Sequence, residues 1–385
     1  MRIGVIGGGQ LAWMMGSAAQ KLGVSLVVQT PQPTDPAVAV AADVVYGAIA
    51  DASVTATLAR RCDLITFENE FVNLAALAPL AAQGVTFYPS LASLTPLLDK
   101  YDQRCCLRSL GLPTPRFMPI RGDRLPMPLM ADDWQPTFPA VLKARRLGYD
   151  GQGTHVVQSQ ADLVAIATAH PQVEWLLEEF VPFERELAVM AARSPAGEVA
   201  VYPVVETQQV DQVCRRVLML PDLKPGVVEA VTDMAQTVLH ELKIVGIVGI
   251  ELFLTAEGRV LVNELAPRTH NSGHYTLDAC PTSQFEQQIR AVAGFPLGDP
   301  TPCCDGAVMV NLLGFEESDQ DYADRRQRLA NLPQTHVYWY GKSSRPGRKL
   351  GHVTSLLQAR PDQSLRNQAG AIAQTIESIW YGPTG

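Results

Sequence analysis

Ile247-Val248-Gly249-Ile250-Glu251-Leu252-Phe253-Leu254 and Val260-Leu261-Val262-Asn263-Glu264-Leu265 are strongly apolar runs separated by a turn centred on Glu257-Gly258. An X-Gly pair between two such runs predicts a two-residue β-hairpin loop. With residues 257 and 258 in the loop, position 256 faces 259, and counting outward sets Glu251 opposite Glu264. Directly opposed Cβ atoms lie about 4.5–5.5 Å apart, a spacing at which two carboxylates repel. Such a pair calls for a proton or a cation between them, and two hard oxygen donors completed by substrate phosphates describe magnesium bound with ATP. The pattern leaves two alternatives open: a counterion such as Arg268 on one Glu, or a register shifted by one residue.

Upstream, the strand Ala140-Val141-Leu142-Lys143 runs into a loop carrying Gly148, Gly151 and Gly153. A cation at a strand end followed by a flexible three-glycine hairpin suits closure over a triphosphate, although an ordinary glycine hairpin with a solvated Lys143 reads the same way. Residues 2–6 form a short apolar strand, Gly7-Gly8-Gly9 follows, and a helix is expected from Gln10 to Leu22. Further apolar runs at 25–29, 43–46, 64–67 and 86–88 alternate with Ala- and Leu-rich helical stretches. That alternation predicts a parallel sheet with helices on both faces.

Gly7-x-Gly9-x-x-Ala12 lets backbone approach a phosphate at a helix N-terminus. A dinucleotide site also wants an acidic residue after the second strand, and here the chain reads Val27-Val28-Gln29-Thr30-Pro31. Two other motifs are discarded. Gly341-Lys342-Ser343 lacks the upstream glycine of a phosphate-binding P-loop, because His336 stands there, and His270 to His274 lacks the glutamate of a zinc-protease helix.

A helical stretch from Asp99 to Leu110 stops at Gly111-Leu112-Pro113-Thr114-Pro115, and a proline-rich connection continues to Pro139. Three units are therefore expected, at residues 1–98, 99–296 and 297–385, the last ending in a helix from Leu365 to Trp380. A chain of 385 residues is long enough for two or three cores, and 47% apolar with 18% charged residues is the composition of a folded protein. The net charge of -8 speaks against a nucleic-acid coat and requires any anionic ligand to be met by a local basic site. Seven cysteines show neither zinc spacing nor a disulfide framework, so reduced thiols in the cytoplasm are expected. The N-terminal apolar run is too short for a signal peptide or a membrane span.

Read together, GGGQLAWMM at 7–15, KARRLGYDGQG at 143–153, IELF at 250–253 with VNELAPRTHNSGH at 262–274, and WYGKSSRPGRKLGH at 339–352 resemble the 5-(carboxyamino)imidazole ribonucleotide synthetases of the ATP-grasp superfamily. The blocks stand in the family's order and span nearly the whole chain. The resemblance implies an N-terminal parallel-sheet α/β domain, a two-lobed ATP-grasp domain and a small C-terminal domain, assembled as a homodimer. It implies carboxylation of 5-aminoimidazole ribonucleotide by bicarbonate, with ATP cleaved to ADP and phosphate through carboxyphosphate, in purine biosynthesis.

Carried over by position, Lys100, Lys143, Asn263 and the loop residues Gly148, Tyr149, Gly151 and Gly153 would hold ATP, with Glu178, Glu179, Val181 and Glu186 around its adenosine. Glu251 and Glu264 match the magnesium ligands. Arg268, His270 and Asn271 match residues near bicarbonate and carboxyphosphate, and Asp150 matches the group that orients or deprotonates the amine. Gln10, Leu11 and Glu68 would meet the aminoimidazole side, while Lys342, Arg345 and Arg348 would bind the ribonucleotide phosphate.

The chain departs from the family at Ala12-Trp13, at Phe67-Glu68-Asn69-Glu70-Phe71, at Gln152 where Arg or Lys is usual, and near Gln209 where a His is usual. A formate-using phosphoribosylglycinamide formyltransferase on the same scaffold, or a catalytically silent nucleotide sensor, are the competing expectations.

Overall fold

A computed structural model describes residues 1–120, 134–146 and 153–382. The first unit is built from β1 (Arg2–Ile6), α1 (Gln10–Lys21), β2 (Ser25–Thr30), β3 (Asp43–Tyr46), α2 (Ala52–Ala59), β4 (Leu64–Phe67), α3 (Leu74–Ala82) and α4 (Leu91–Leu94). Its strands are parallel in the order β3-β2-β1-β4. Successive side chains of β1 alternate faces, so Ile3 and Val5 pack against Leu11, Met14 and Met15, and Ile6 packs with Val27, Ile65 and Leu58 on the other side. The run at 86–88 does not become a fifth strand. Phe87 makes only an isolated bridge to Ile65, and Pro89, with no N–H to donate, follows at once.

The second unit has two lobes. Helix α5 (Lys100–Ser109), β5 (Phe117–Ile120), β6 (Ala140–Ala144), β7 (Thr154–Val157), α6 (Gln160–Ala169) and β8 (Trp175–Glu179) make the first, with the antiparallel order β5-β8-β6-β7 around Leu142, Leu163 and Trp175. The second comprises β9 (Phe183–Arg193), β10 (Val199–Val201), β11 (Val205–Val210), β12 (Val213–Met219), α7 (Pro225–Glu241), β13 (Gly246–Thr255), β14 (Val260–Ala266), α8 (Thr276–Ala279) and α9 (Gln284–Ala293).

The last unit contains β15 (Gly306–Leu313), α10 (Ala323–Ala330), β16 (Thr335–Trp339), β17 (Lys349–Leu357) and α11 (Leu365–Tyr381). Its strands extend the second lobe: β12 pairs with β15, giving one nine-stranded sheet in the order β14-β13-β9-β11-β12-β15-β17-β16, with β10 beside β9. Helix α9 packs Phe285, Ile289 and Val292 into the core of the first unit, so all three units share buried surface. Burial of that extent contributes about 25 cal/mol for each Å² of apolar area. No described helix is long and apolar enough to cross a membrane.

Candidate active site

The hairpin that opened the sequence reading forms, but by a different route. Thr255 N donates to Arg259 O at 2.9 Å and Gly258 N to Thr255 O at 2.9 Å, with Gly258 at φ 81°. The loop is therefore Ala256 to Gly258, three residues rather than the expected two, and near the turn Leu254 faces Val260 and Leu252 faces Val262. A β-bulge then inserts one extra residue, Asn263, and restores Glu251 opposite Glu264. Two one-residue errors cancel. The bulge also turns two consecutive side chains to the same side: Asn263 Nδ2 lies 3.5 Å from Glu251 Oε2, and Glu264 lines the cleft with Glu251.

The two carboxylates differ electrostatically. Burial and the charge of Glu264 push Glu251 up to about 7, with Glu186 adding to the repulsion. Burial alone would raise Glu264 too, but the Lys100 ammonium at 2.5 Å holds it below the usual carboxylate range. The side-chain cation beside Glu264 is Lys100, from the start of α5 and expected on ATP; Arg268, the alternative counterion, pairs instead with Glu70 at 2.8 Å.

Lys143 Nζ sits between Asn263 Oδ1 at 2.9 Å and Glu178 Oε2 at 2.7 Å, and Arg104 grips the other oxygen of Glu178. Burial would raise Glu178, and the two cations hold it down to about 2. Glu178 is therefore an anchor for Lys143 rather than an open acceptor. Glu179 turns its carboxylate to Arg116 at 2.6 Å, leaving its backbone at the crossing between lobes. Val181, on that crossing, is buried and accepts from Phe183 N at 3.0 Å. Burial raises Glu186, and Gln209 hydrogen-bonds it from the cleft wall. Gly153, at φ 76°, accepts from Ala144 N at 2.7 Å and closes the base of the β6–β7 connection. Gly148, Tyr149, Asp150, Gly151 and Gln152 lie outside the described residues.

After β14 the chain lays Arg268, His270 and Asn271 along the same cleft. His270 Nε2 is 3.5 Å from Glu251 Oε1 and its Nδ1 is 2.8 Å from Ser272 Oγ. Asn271 and the fully buried Asn311 of β15 exchange amide hydrogen bonds of 2.9 and 2.7 Å.

At the other end, buried Glu68 accepts from Leu11 N at 3.3 Å. Gly9 leaves no room for a Cβ beside that carboxylate. Lys342 Nζ donates to Gln10 Oε1 at 2.5 Å, and burial pushes its ammonium down to about 8 against the attraction of Glu68. Arg348 donates to Ser343 O at 3.0 Å and is half-buried, Arg345 is exposed, and of this basic stretch only Lys349 lines the cleft. Between these ends lies a cleft of about 720 Å³ walled by all three units.

Several contributors escaped the sequence reading: Glu70, Arg104, Asn311, Lys349 on the cleft wall, and Asp99, which receives Arg145 at 2.9 Å and Arg146 at 3.0 Å. Asp99 had a local signal as the cap before α5, where it accepts from Tyr101 N, and Lys349 adjoins Arg348 at the end of the late basic stretch. The others act across distances in sequence that no spacing rule spans.

Comparison with known proteins bears on this geometry. Residues 1–96 match the ribonucleotide synthetase preATP-grasp domain, 105–285 the ATP-grasp domain, and 307–364 the phosphoribosylaminoimidazole carboxylase C-terminal domain. The N5-carboxyaminoimidazole ribonucleotide synthase of Synechococcus elongatus is 53% identical, covering 99% of this chain and 96% of that protein. An ADP complex of an N5-carboxyaminoimidazole ribonucleotide synthetase superposes with a TM-score of 0.87 at 32% identity, covering 99% of this chain and 97% of that one. The Aspergillus clavatus enzyme, solved with ADP and 5-aminoimidazole ribonucleotide, has a TM-score of 0.86 at 26% identity, covering 99% and 98% of the two chains.

Proposed function

The chain belongs to the N5-carboxyaminoimidazole ribonucleotide synthetase family of ATP-grasp ligases, and from that premise we propose how its own residues carry the reaction. ATP lies with its phosphates toward Lys100, Lys143 and Asn263, and 5-aminoimidazole ribonucleotide occupies the end formed by Gln10, Leu11, Glu68, Lys342, Arg345 and Arg348. Bicarbonate enters between them, against Arg268, His270 and Asn271.

The observation that carries this reading is the opposed pair Glu251 and Glu264, with Glu251 pushed up to about 7, in a cleft also lined by Arg268 and His270. Two hard carboxylates that repel each other fit a magnesium ion held with ATP phosphates, and Glu251 and Glu264 would hold it. When bound, the ion offsets phosphate charge.

A bicarbonate oxygen attacks the γ-phosphorus and the bond to the ADP oxygen breaks, giving carboxyphosphate. Arg268, with hydrogen bonds from His270 and Asn271, stabilises its negative charge. The exocyclic amine then attacks the carboxyl carbon; a C–N bond forms, phosphate leaves with the C–O electron pair, and the amine proton passes to Asp150. The seven cysteines are free thiols, which supports a reducing cytoplasmic setting, and the family supports a homodimer, checked by sedimentation.

The test is ADP release with 5-aminoimidazole ribonucleotide, with and without bicarbonate, alongside transfer of labelled bicarbonate carbon to the product. Turnover that needs bicarbonate and stops on chelation of magnesium is expected. Turnover with formate instead, or nucleotide binding without turnover, overturns it.

A further inference from the structure

Gln284 opens helix α9 and is fully buried, yet both ends of its carboxamide are occupied. Its Oε1 accepts from His270 N at 2.9 Å, and its Nε2 donates to His270 O at 2.7 Å. These two bonds to one residue reproduce what a neighbouring strand would supply, at a place where the chain has left the sheet. Nε2 also lies 3.1 Å from His274 Nδ1, which fixes the plane of the amide.

There is no slack around it. A Cβ on Gly273 would stand 2.5 Å from Gln284 Oε1. Helix α9 is itself tied down by Gln288, which donates to Thr66 Oγ1 at 2.8 Å and accepts from Ile247 N at 2.6 Å. The His274 ring packs 4.9 Å from His352, whose Nδ1 meets the Tyr340 hydroxyl at 2.7 Å. The clamp thus holds the main chain of His270 while its imidazole faces Glu251.

We propose that Gln284 is a positioning residue for His270, holding its backbone so that the imidazole stays aimed at Glu251, between the two ends of the cleft. The proposal rests on the role given to His270 above. Helix α9 carries an internal control: Gln287 makes the same two-bond clamp on Gly298, at 2.9 and 2.7 Å, and neither residue lines the cleft.

The experiment is a double-mutant cycle of Gln284→Met with His270→Ala, read as kcat and as KM for ATP and for 5-aminoimidazole ribonucleotide. Since a small misplacement near reacting atoms can cost up to about a hundredfold, Gln284→Met should lower kcat by roughly ten- to a hundredfold with both KM values within about threefold. In the His270→Ala background the same change should cost no more than about twofold, because the residue it positions is gone. Gln287→Met should cost the same small factor in both backgrounds.

Equal losses from Gln284→Met in the two backgrounds, or a rise in both KM values in step with the loss of kcat, overturn the proposal in favour of a packing role. Where Gln284→Met does not fold, Gln284→Glu, which keeps the volume and the acceptor, takes its place in the cycle; failure of both to fold also overturns it. A wild-type enzyme without bicarbonate-dependent turnover would strike the functional reading itself, before any variant is compared.

Discussion

Glu251 and Glu264 are partners across two strands, yet burial and repulsion raise one while Lys100 holds the other down. Glu264→Gln keeps the shape and removes the charge that a hard cation needs. Activity at ordinary magnesium should fall roughly a hundredfold or more, equivalent to about 3 kcal/mol of transition-state stabilisation, with the thermal midpoint nearly unchanged. ADP release across a magnesium titration measures it, and near-normal turnover removes the carboxylate pair from the mechanism. Lys342 supplies a pH test. Burial lowers its ammonium from 10.5 to about 8, so between those values the folded chain binds fewer protons than the unfolded one. Folding therefore gains stability from this group as pH rises through that window, while the site loses the charge proposed to grip the ribonucleotide phosphate. KM for the ribonucleotide should rise above about pH 8 with KM for ATP flat, and Lys342→Met should raise the former and erase its slope. A wild-type KM that stays level through the window would place Lys342 away from the phosphate.

The β13–β14 hairpin contains glycines needed for opposite reasons. Gly258 adopts φ 81° with nothing near a would-be Cβ, so Gly258→Ala introduces only backbone strain, about 1 kcal/mol, and should leave kcat unchanged. Gly249 is needed for space: a Cβ there would stand 2.6 Å from His270 Cβ. Overpacking of that kind costs about 1–3 kcal/mol, and the segment able to move is the one that carries His270. Gly249→Ala should lower both the thermal midpoint and kcat, the latter about tenfold, in line with misplacement of a group near the chemistry. Should kcat survive at the wild-type level, the position of His270 does not limit turnover. The bulge belongs to the same element. Without Asn263 as an inserted residue, Glu251 and Glu264 would not be partners in the register set by the three-residue turn.

Across the whole molecule, the residues proposed for the two substrates come from different units, and substrate preferences should separate accordingly. Lys100 and Lys143 come from the first ATP-grasp lobe and its entry helix, whereas Lys342 and Arg348 lie on the connection between β16 and β17. Arg348→Ala should raise KM for the ribonucleotide about tenfold, the scale of one charge-assisted hydrogen bond, and leave KM for ATP within about twofold. Equal losses for both substrates would assign that loop to ATP or to folding. The continuous sheet explains how such a distant loop is held: β17 is hydrogen-bonded to β15 and β15 to β12, so the basic loop is carried by the same framework as the carboxylates.

Local chemistry made the strand-and-helix alternation of the first unit, the position of α5 and the glycine at the hairpin turn legible from the sequence, because each depends on residues a few positions apart, whereas the opposition of Glu251 and Glu264 needs the bulge as well. The family blocks added the residues proposed to meet ATP and the ribonucleotide. What only the tertiary structure decided are the partners brought from far along the chain: Lys100 on Glu264, Arg104 on Glu178, Glu70 on Arg268, Asn311 on Asn271 and Gln284 on His270. A buried polar group must find a partner wherever the fold supplies one, and that requirement carries no spacing along the sequence. The turn length and the bulge show the same division: a two-residue loop mispairs the residues next to the turn, and the bulge at Asn263, which only the packing of both strands decides, is what sets Glu251 opposite Glu264.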